Sequence, residues 1–364
     1  MMNTQQKSYV TLNSLTIGRG LAALFVAVHH ATDIWGGLLA PIGNIGWLGV
    51  SYFYILSGFV LTWVFNPERT VSEFYRHRIA RIYPMHLLTL LVSLTAFATL
   101  DSPLAGYVGT PWGTLANVFL VHDWIPGHPD IRQAWNGVSW SLSVEFFFYI
   151  FAPFLIAMLS RISAGRLVAI GIILYMTTSA IGIIASWKQI RWLADFMQYS
   201  PIARSPEFIY GIISAVLFRH GRRIHISAFV KYSCFLTIPL YYLIAHGNPN
   251  SLLMIDIAIP AFLVFILSGA TRDLDGNPMG LAGRWLTKVG ESSYSLYMTH
   301  ALILGLFVGA LHRYGVTMHA SLAVLIFITV SVLFSFVMYR RVELPMRNAV
   351  LGMNFSIRRL FADS

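Results

Sequence analysis

Charged residues are scarce in this chain. Asp, Glu, Lys and Arg make up 11% of its 364 residues, whereas a soluble domain carries about 25%. Hydrophobic residues make up 56%, and the mean hydropathy is +0.65. This composition excludes an ordinary soluble domain, so the net charge of +10 is a poor indication of nucleic-acid binding. The composition instead predicts a polytopic membrane protein whose excess Lys and Arg lie in cytoplasmic loops.

The chain also lacks several features of other protein classes. Its single cysteine, Cys234, excludes an internal disulfide framework. No low-complexity linker and no internal repeat is visible. No small-residue cleavage site follows the first apolar stretch, which therefore predicts a retained span and not a removed signal peptide. We expect one membrane domain over residues 1–364, with no appended soluble domain.

Hydrophobic runs of membrane length predict an all-α fold with about ten transmembrane helices. The predicted spans are residues 15–36, 45–66, 84–101, 140–160, 166–186, 206–219, 226–246, 250–270, 292–311 and 320–339. Ten spans would place both termini on the same side of the membrane.

The distribution of Lys and Arg predicts which side that is. With both termini cytoplasmic, 18 of the 25 basic residues fall in inner segments and 5 in outer loops. This bias predicts an N-in, C-in orientation. The inner residues are Lys7, Arg69, Arg76, Arg78, Arg81, Arg161, Arg166, Arg219, Arg222, Arg223, Arg272, Arg284, Lys288, Arg340, Arg341, Arg347, Arg358 and Arg359, and the outer ones are Arg132, Lys188, Arg191, Arg204 and Arg313.

The first span carries four ionisable residues, Arg19, His29, His30 and Asp33. Each costs roughly 2.5–3.5 kcal/mol in hydrocarbon, so such residues indicate function. Arg19 and His30 are 11 positions apart, which places them on one helix face about 16.5 Å apart. His29 lies about 80° around the helix from Arg19, and we expect it to face elsewhere. Asp33 is expected to orient the His30 imidazole.

An arginine cluster precedes the third span. Arg76, Arg78 and Arg81 lie just before Pro84, which is expected to start a new helix. One interpretation is an anchor at the lipid headgroups under the positive-inside rule. The other is a phosphate site, because guanidinium groups bind phosphate oxygens through two parallel hydrogen bonds.

The longest predicted outer loop, residues 102–139, is rich in tryptophan and includes Trp124 and Trp135. Tryptophan is common at the membrane interface. The alternative is a binding platform, in which flat aromatic rings cover the apolar faces of a sugar. Both interpretations remain open from the sequence.

Two later spans contain isolated polar residues. Ser141 and Glu145 form an i, i+4 pair in the fourth span, where Glu145 must be paired or face water. Glu145 could pair with Arg19 simply to hold the helices together. In the ninth span, Tyr297 and His300 lie on nearby faces.

These segments together resemble the acyltransferase family 3 membrane proteins, which O-acylate bacterial polysaccharides and other surface or secreted molecules. The resemblance covers nearly the whole chain and rests on six segments in order. They are the Arg-x10-His pattern at Arg19 and His30, GVSYFYILSGFVL at 49–61, RHRIARIYP at 76–84, WSLSVEFFFY at 140–149, SSYSLYMTH at 292–300 and VELP at 342–345.

The resemblance implies transfer of an acyl group, usually acetyl from acetyl-CoA, to a hydroxyl. It implies a protein of the bacterial cytoplasmic membrane, in contact with its lipids, that uses acyl-CoA as donor substrate and holds no permanent cofactor and no metal. The acceptor would be a carbohydrate, such as an exopolysaccharide precursor, either free or lipid-linked.

Chemistry then assigns roles to the residues. His30 suits a general base at neutral pH, with Asp33 or Glu145 fixing its tautomer. Arg19 would guide the donor or stabilise negative charge on the thioester oxygen. A covalent acyl-histidine route remains open. The cluster Arg76, Arg78 and Arg81 would hold CoA phosphates, and the expected substrate-binding residues are Ser141, Tyr297, His300, Trp124 and Trp135.

Two other functional classes are weighed against this prediction. A proton-coupled transporter would also place His, Asp, Glu and Arg in its spans, but no inverted repeat is found. A non-enzymatic scaffold would tolerate the loss of His30.

Overall fold

A computed structural model describes residues 12–99, 110–125, 127–221, 226–247, 250–276 and 280–353. These residues form sixteen α-helices and no strand. The helices are α1 Asn13–Trp35, α2 Ala40–Gly43, α3 Gly49–Trp63, α4 Val71–Thr99, α5 Pro111–Val118, α6 Pro129–Arg132, α7 Trp140–Leu159, α8 Ala164–Trp187, α9 Arg191–Tyr199, α10 Pro201–Arg219, α11 Ala228–Ile244, α12 Ser251–Leu274, α13 Leu281–Glu291, α14 Ser293–Arg313, α15 Ala320–Met338 and α16 Leu344–Gly352. Short 3₁₀ turns cover Gly46–Leu48 and Gly137–Ser139, and a π-helical turn covers Tyr339–Glu343.

The helices agree with the predicted fold class. Six described stretches are long and apolar enough to cross a membrane. They are Ala40–Trp63, Gly137–Leu159, Ala164–Trp187, Ser251–Leu274, Ser293–Arg313 and Ala320–Gly352. The protein is therefore an all-helical membrane protein, while ten spans and the N-in, C-in orientation stay predictions. The end of the predicted third span lies outside the described residues. So do five of the Lys and Arg residues counted for the orientation: Lys7, Arg222, Arg223, Arg358 and Arg359.

Two predicted boundaries are wrong. Pro84 does not start a new helix, because α4 runs from Val71 through Pro84 to Thr99. The arginine cluster therefore lies on this helix. Helices of membrane proteins tolerate proline where neighbouring groups satisfy the freed backbone carbonyl. Arg204 does not lie in an outer loop, because α10 begins at Pro201, and the Arg204 side chain is buried within the protein.

Glycines bring the central helices close together. Gly58 of α3 faces Gly211 of α10, and a Cβ at either position would collide with a backbone oxygen of the other helix. On α13, a Cβ at Gly290 would collide with the backbone oxygen of Thr16 in α1. Small residues permit such approach between membrane helices. Gly58, in the second predicted span, therefore lies at a helix interface.

The helix α1 connects the parts of the fold that matter for function. It packs against α3, α12, α13, α14 and α15. Its small buried residues, among them Ala23, Ala27 and Ala31, allow these neighbours to approach. This packing leaves the polar residues near the two ends of α1 facing two different cavities.

Candidate active site

The first cavity lies between α1, α3, α4, α7 and α14 and has a volume of about 330 Å³. We call it the arginine cavity, because Arg19, Arg78 and Arg81 all line it. Its other polar lining residues are Thr16, Tyr54, Ser57, Ser141, Glu145, Tyr149, Ser293, Tyr294 and Tyr297. Side chains distant in sequence thus meet around one space.

Positive charge predominates in the arginine cavity. Among the described residues, no carboxylate oxygen lies within 4.0 Å of the guanidinium groups of Arg19, Arg78 or Arg81. The lining carboxylate, Glu145, accepts hydrogen bonds from Ser57 and Tyr149. The predicted contact of Glu145 with His30, and its alternative ion pair with Arg19, are therefore both wrong. The three guanidinium groups remain suited to binding an anion.

Of the three arginines in the predicted phosphate site, Arg78 and Arg81 line the arginine cavity and Arg76 does not. Arg78 and Arg81 are three residues apart on α4 and so share a face. The Arg78 guanidinium lies 5.8 Å from the centre of the Tyr149 ring and 5.9 Å from that of Phe74. Arg76 does not line the arginine cavity. Helical periodicity explains this difference, since two residues correspond to about 200° of rotation.

A second cavity of about 630 Å³ lies beside the other end of α1. We call it the histidine cavity, because His29, His30 and Asp33 line it. Its remaining polar and aromatic lining residues are Trp47, Arg132, Gln133, Trp135, Asn136, Trp140, Gln198, Tyr199, Arg204, Ser251 and Tyr297. Arg19 and His30, predicted to share a face, thus line two cavities along one helix.

The two adjacent histidines have different partners from those predicted. Asp33 lies 3.4 Å from the Nε2 atom of His29, and the Nδ1 atom of His29 lies 3.0 Å from the Gly43 carbonyl oxygen. The Nδ1 atom of His30 instead lies 2.9 Å from the Val26 carbonyl oxygen. The predictions that Asp33 orients His30 and that His29 faces elsewhere are wrong. The cavity is wide enough for both rings, and Asp33 reaches the residue one full turn before it.

The two cavities meet at Val50 and Tyr297, which line both of them. The Tyr297 hydroxyl lies 2.6 Å from the Ser141 Oγ. Of the two cavities, Ser141 lines only the arginine cavity. Its side chain is hydrogen-bonded to Tyr297 and not to Glu145. A hydrogen-bonded pair from α7 and α14 therefore stands at the boundary.

The two predicted substrate-binding tryptophans lie in different surroundings. Trp135 lines the histidine cavity and donates from Nε1 to the Thr114 Oγ1 at 2.8 Å. Trp124 does not line it; its Nε1 donates to the Ser143 carbonyl oxygen at 3.1 Å. Trp124 thus packs against α7, whereas Trp135 is available to a ligand.

The sequence did not predict an ion pair at the histidine cavity. Arg132 lies 3.1 Å from Asp195, and its guanidinium lies 3.7 Å from the centre of the Tyr199 ring. Arg132 and Asp195 belong to separate predicted outer loops, so nothing in the sequence indicated their contact. The pair links these two loops, and Arg132 itself lines the histidine cavity.

Comparison with known proteins identifies the family of the chain. Residues 12–340 match the sequence profile of the family described as acyltransferase domain. The acyltransferase MdmB of Streptomyces mycarofaciens is 32% identical over 81% of this chain and 79% of its own length. A putative acetyltransferase, ORF330, of Acidianus two-tailed virus is 25% identical over 78% of this chain and 81% of its own.

A third relative is longer than this chain. The putative O-acetyltransferase SACOL0978 of Staphylococcus aureus (strain COL) is 23% identical over 90% of this chain but only 56% of its own length. No solved structure matches the chain. The matched residues include every side chain of the two cavities. On this evidence the chain belongs to acyltransferase family 3 and is a membrane O-acyltransferase.

Proposed function

We propose that the protein transfers an acetyl group from acetyl-CoA to a hydroxyl of an extracytoplasmic carbohydrate. The observation that carries this proposal is the pair of adjoining cavities. One is lined by three arginines without carboxylate partners within 4.0 Å among the described residues, and the other by two histidines. The first suits an anionic donor, and the second suits an acceptor whose hydroxyl must lose a proton.

The donor would bind in the arginine cavity. Arg78 and Arg81 would hold the phosphates of CoA, because guanidinium groups bind phosphate through paired, charge-assisted hydrogen bonds. Arg19, which lines the same cavity, would guide the pantetheine arm of the donor toward the histidine cavity. The helical rise places Arg19 about 16.5 Å from His30, a distance similar to the reach of the pantetheine arm.

The reaction moves the acetyl group from the sulfur of CoA to the hydroxyl oxygen of the acceptor. The acceptor hydroxyl oxygen attacks the thioester carbonyl carbon while its proton passes to Nε2 of His30. The tetrahedral intermediate then collapses, the C–S bond breaks, and the CoA thiolate leaves. The proton on the His30 imidazolium passes to this thiolate, which restores the base and leaves an ester and free CoA.

The acceptor would bind in the histidine cavity. Trp47, Trp135 and Trp140 offer flat aromatic faces for the apolar faces of sugar rings, and Asp33 and Gln198 offer polar groups for hydroxyls. The predicted topology places this cavity toward the outside and the arginine cavity toward the cytoplasm. Donor and acceptor would therefore enter from opposite faces of the membrane. Membership of an acyltransferase family argues against the transporter alternative.

Sealed vesicles of known orientation test this proposal. Acetyl-CoA with a labelled acetyl group is confined to one face, and surface glycans from the expressing bacterium are supplied on the other. We expect labelled glycan, detected by mass spectrometry, only when acetyl-CoA is on the cytoplasmic face. Transfer that requires both substrates in one compartment would contradict opposite-face entry, and absence of glycan acetylation in either arrangement would contradict the acceptor class.

A further inference from the structure

His300 of α14 contacts His30 but lines neither cavity. Its Nε2 atom lies 3.3 Å from the Nδ1 atom of His30, and the ring centres are 5.1 Å apart. His300 is 0% exposed and lines neither the arginine nor the histidine cavity. It therefore has no surface with which to bind a substrate, and its predicted substrate-binding role does not fit its position.

The backbone around His300 fixes the position of its proton. The Nδ1 atom of His300 lies 2.7 Å from the Tyr297 carbonyl oxygen and 3.2 Å from that of Leu296. A carbonyl oxygen only accepts hydrogen bonds, so Nδ1 carries the hydrogen. In a neutral imidazole the other nitrogen then bears a lone pair. The lone pair of His300 Nε2 is thus available to His30.

The same reasoning fixes the proton of His30. Its Nδ1 atom lies 2.9 Å from the Val26 carbonyl oxygen, so Nδ1 carries the hydrogen. This N–H group has two acceptors, the Val26 oxygen and the His300 Nε2. The Nε2 atom of His30 is left with the lone pair that a general base needs. When it accepts a proton, the two acceptors behind it stabilise the imidazolium.

We infer that His300 is a positioning residue for His30. Its neutral imidazole occupies the place that a carboxylate has in a catalytic triad. Asp33, the acid nearest in sequence, is engaged by His29 and leaves this place open. His300 holds the ring orientation and tautomer of His30 without adding a buried negative charge, which would be costly in this apolar interior. The inference rests on the proposed role of His30 as the base.

Three substitutions of His300 separate a positioning role from a packing role. In His300→Gln, the amide oxygen reaches the position of the His300 Nε2 atom and accepts a hydrogen bond from Nδ1 of His30. The Asn amide is one bond shorter and does not reach it, and Leu has no acceptor. We expect His300→Leu and His300→Asn to lower kcat by about 10–10²-fold with an unchanged donor KM, less than loss of the base itself. His300→Gln should recover most of kcat. His312→Leu, at an exposed position of the same helix, should match the wild type.

A double-mutant cycle in nanodiscs with acetyl-CoA and an acetylatable glycan completes the test. Because His300 acts through His30, adding His300→Leu to His30→Gln should cause no further loss. An equal loss in both backgrounds, or equal kcat for His300→Gln and His300→Asn at matched protein abundance, would overturn the inference. If His300→Leu does not accumulate in the membrane, the Gln and Asn pair still decides. Full activity of His30→Gln alone would instead refute His30 as the base, which is a failure of the proposed function.

Discussion

The hydroxyl of Tyr297 lies 2.6 Å from the Oγ of Ser141, where the arginine cavity and the histidine cavity adjoin. Tyr297 comes from α14 and Ser141 from the first turn of α7, so this bond joins two helices across the proposed path of the acyl group. A closed partition here would keep water in the wider histidine cavity from the thioester. Exclusion of water protects reactive groups from hydrolysis.

We expect Tyr297→Phe and Ser141→Ala to favour hydrolysis of acetyl-CoA over transfer. Each removes this hydrogen bond, and a bond worth about 0.5–1.5 kcal/mol corresponds to roughly a 2- to 10-fold change in the ratio. Release of free CoA is measured with and without glycan acceptor, alongside acetylated product. Thr299→Val, which removes another buried α14 hydroxyl outside both cavities, serves as control. An unchanged ratio in both test variants would rule out a water barrier at this bond.

His30→Ala should abolish acyl transfer, with a loss of about 10²–10⁴-fold typical of a removed general base. His29→Ala should be milder, since His29 bonds the Gly43 carbonyl oxygen and pairs with Asp33 and so acts on local structure. The rate of glycan acetylation is compared at equal membrane abundance. Asp33→Asn is expected to resemble His29→Ala, and a loss as large as that of His30→Ala would contradict the separation of the two histidines.

Arg78→Ala and Arg81→Ala should raise the KM for acetyl-CoA by about tenfold or more, because a hydrogen bond to a charged group is worth roughly 1.5–3 kcal/mol. The rate at saturating donor should change less. Donor titrations at two salt concentrations measure both quantities. Arg76→Ala is the matched control, since Arg76 lies on the same helix but outside the arginine cavity. Equal KM values in all three variants would leave the arginines with a topological role only.

Asp123 should make stability depend on pH. It is buried in the segment between α5 and α6, and burial raises the pKa of its carboxyl to about 8, although Arg132 opposes this shift. Between pH 4 and 8 the folded protein therefore binds one proton more than the unfolded chain at this site. The stability of the folded protein should therefore fall as the pH rises from 4 to 8. Above pH 8 the stabilisation from this extra proton should be lost completely.

The variant Asp123→Asn should remove this pH dependence. We expect its apparent Tm in detergent to equal that of the wild type near pH 4 and to exceed it increasingly toward pH 8.5. Asp130→Asn, at an exposed position of α6, should follow the wild type throughout. A constant difference between Asp123→Asn and wild type across this range would show that the carboxyl does not titrate as proposed.

The sequence by itself determined that the protein is an all-helical membrane protein. The low charge and long apolar runs require helices in a membrane, because hydrocarbon leaves backbone groups no other partners. Periodicity along one helix correctly placed Arg78 and Arg81 together and located Arg19 and His30 near the two ends of α1. These properties are local, so a few turns of one helix suffice to specify them.

Only the tertiary structure decided which side chains meet. The acid closest to His30 in sequence pairs with His29, while the partner of His30 is His300, 270 residues away. Likewise, Glu145 bonds Ser57 of α3, and Ser141 bonds Tyr297 of α14. The physical reason is that helix periodicity fixes which way a side chain points along its own helix. The packing of neighbouring helices, set by close contacts such as those of Gly58 and Gly290, fixes what it faces.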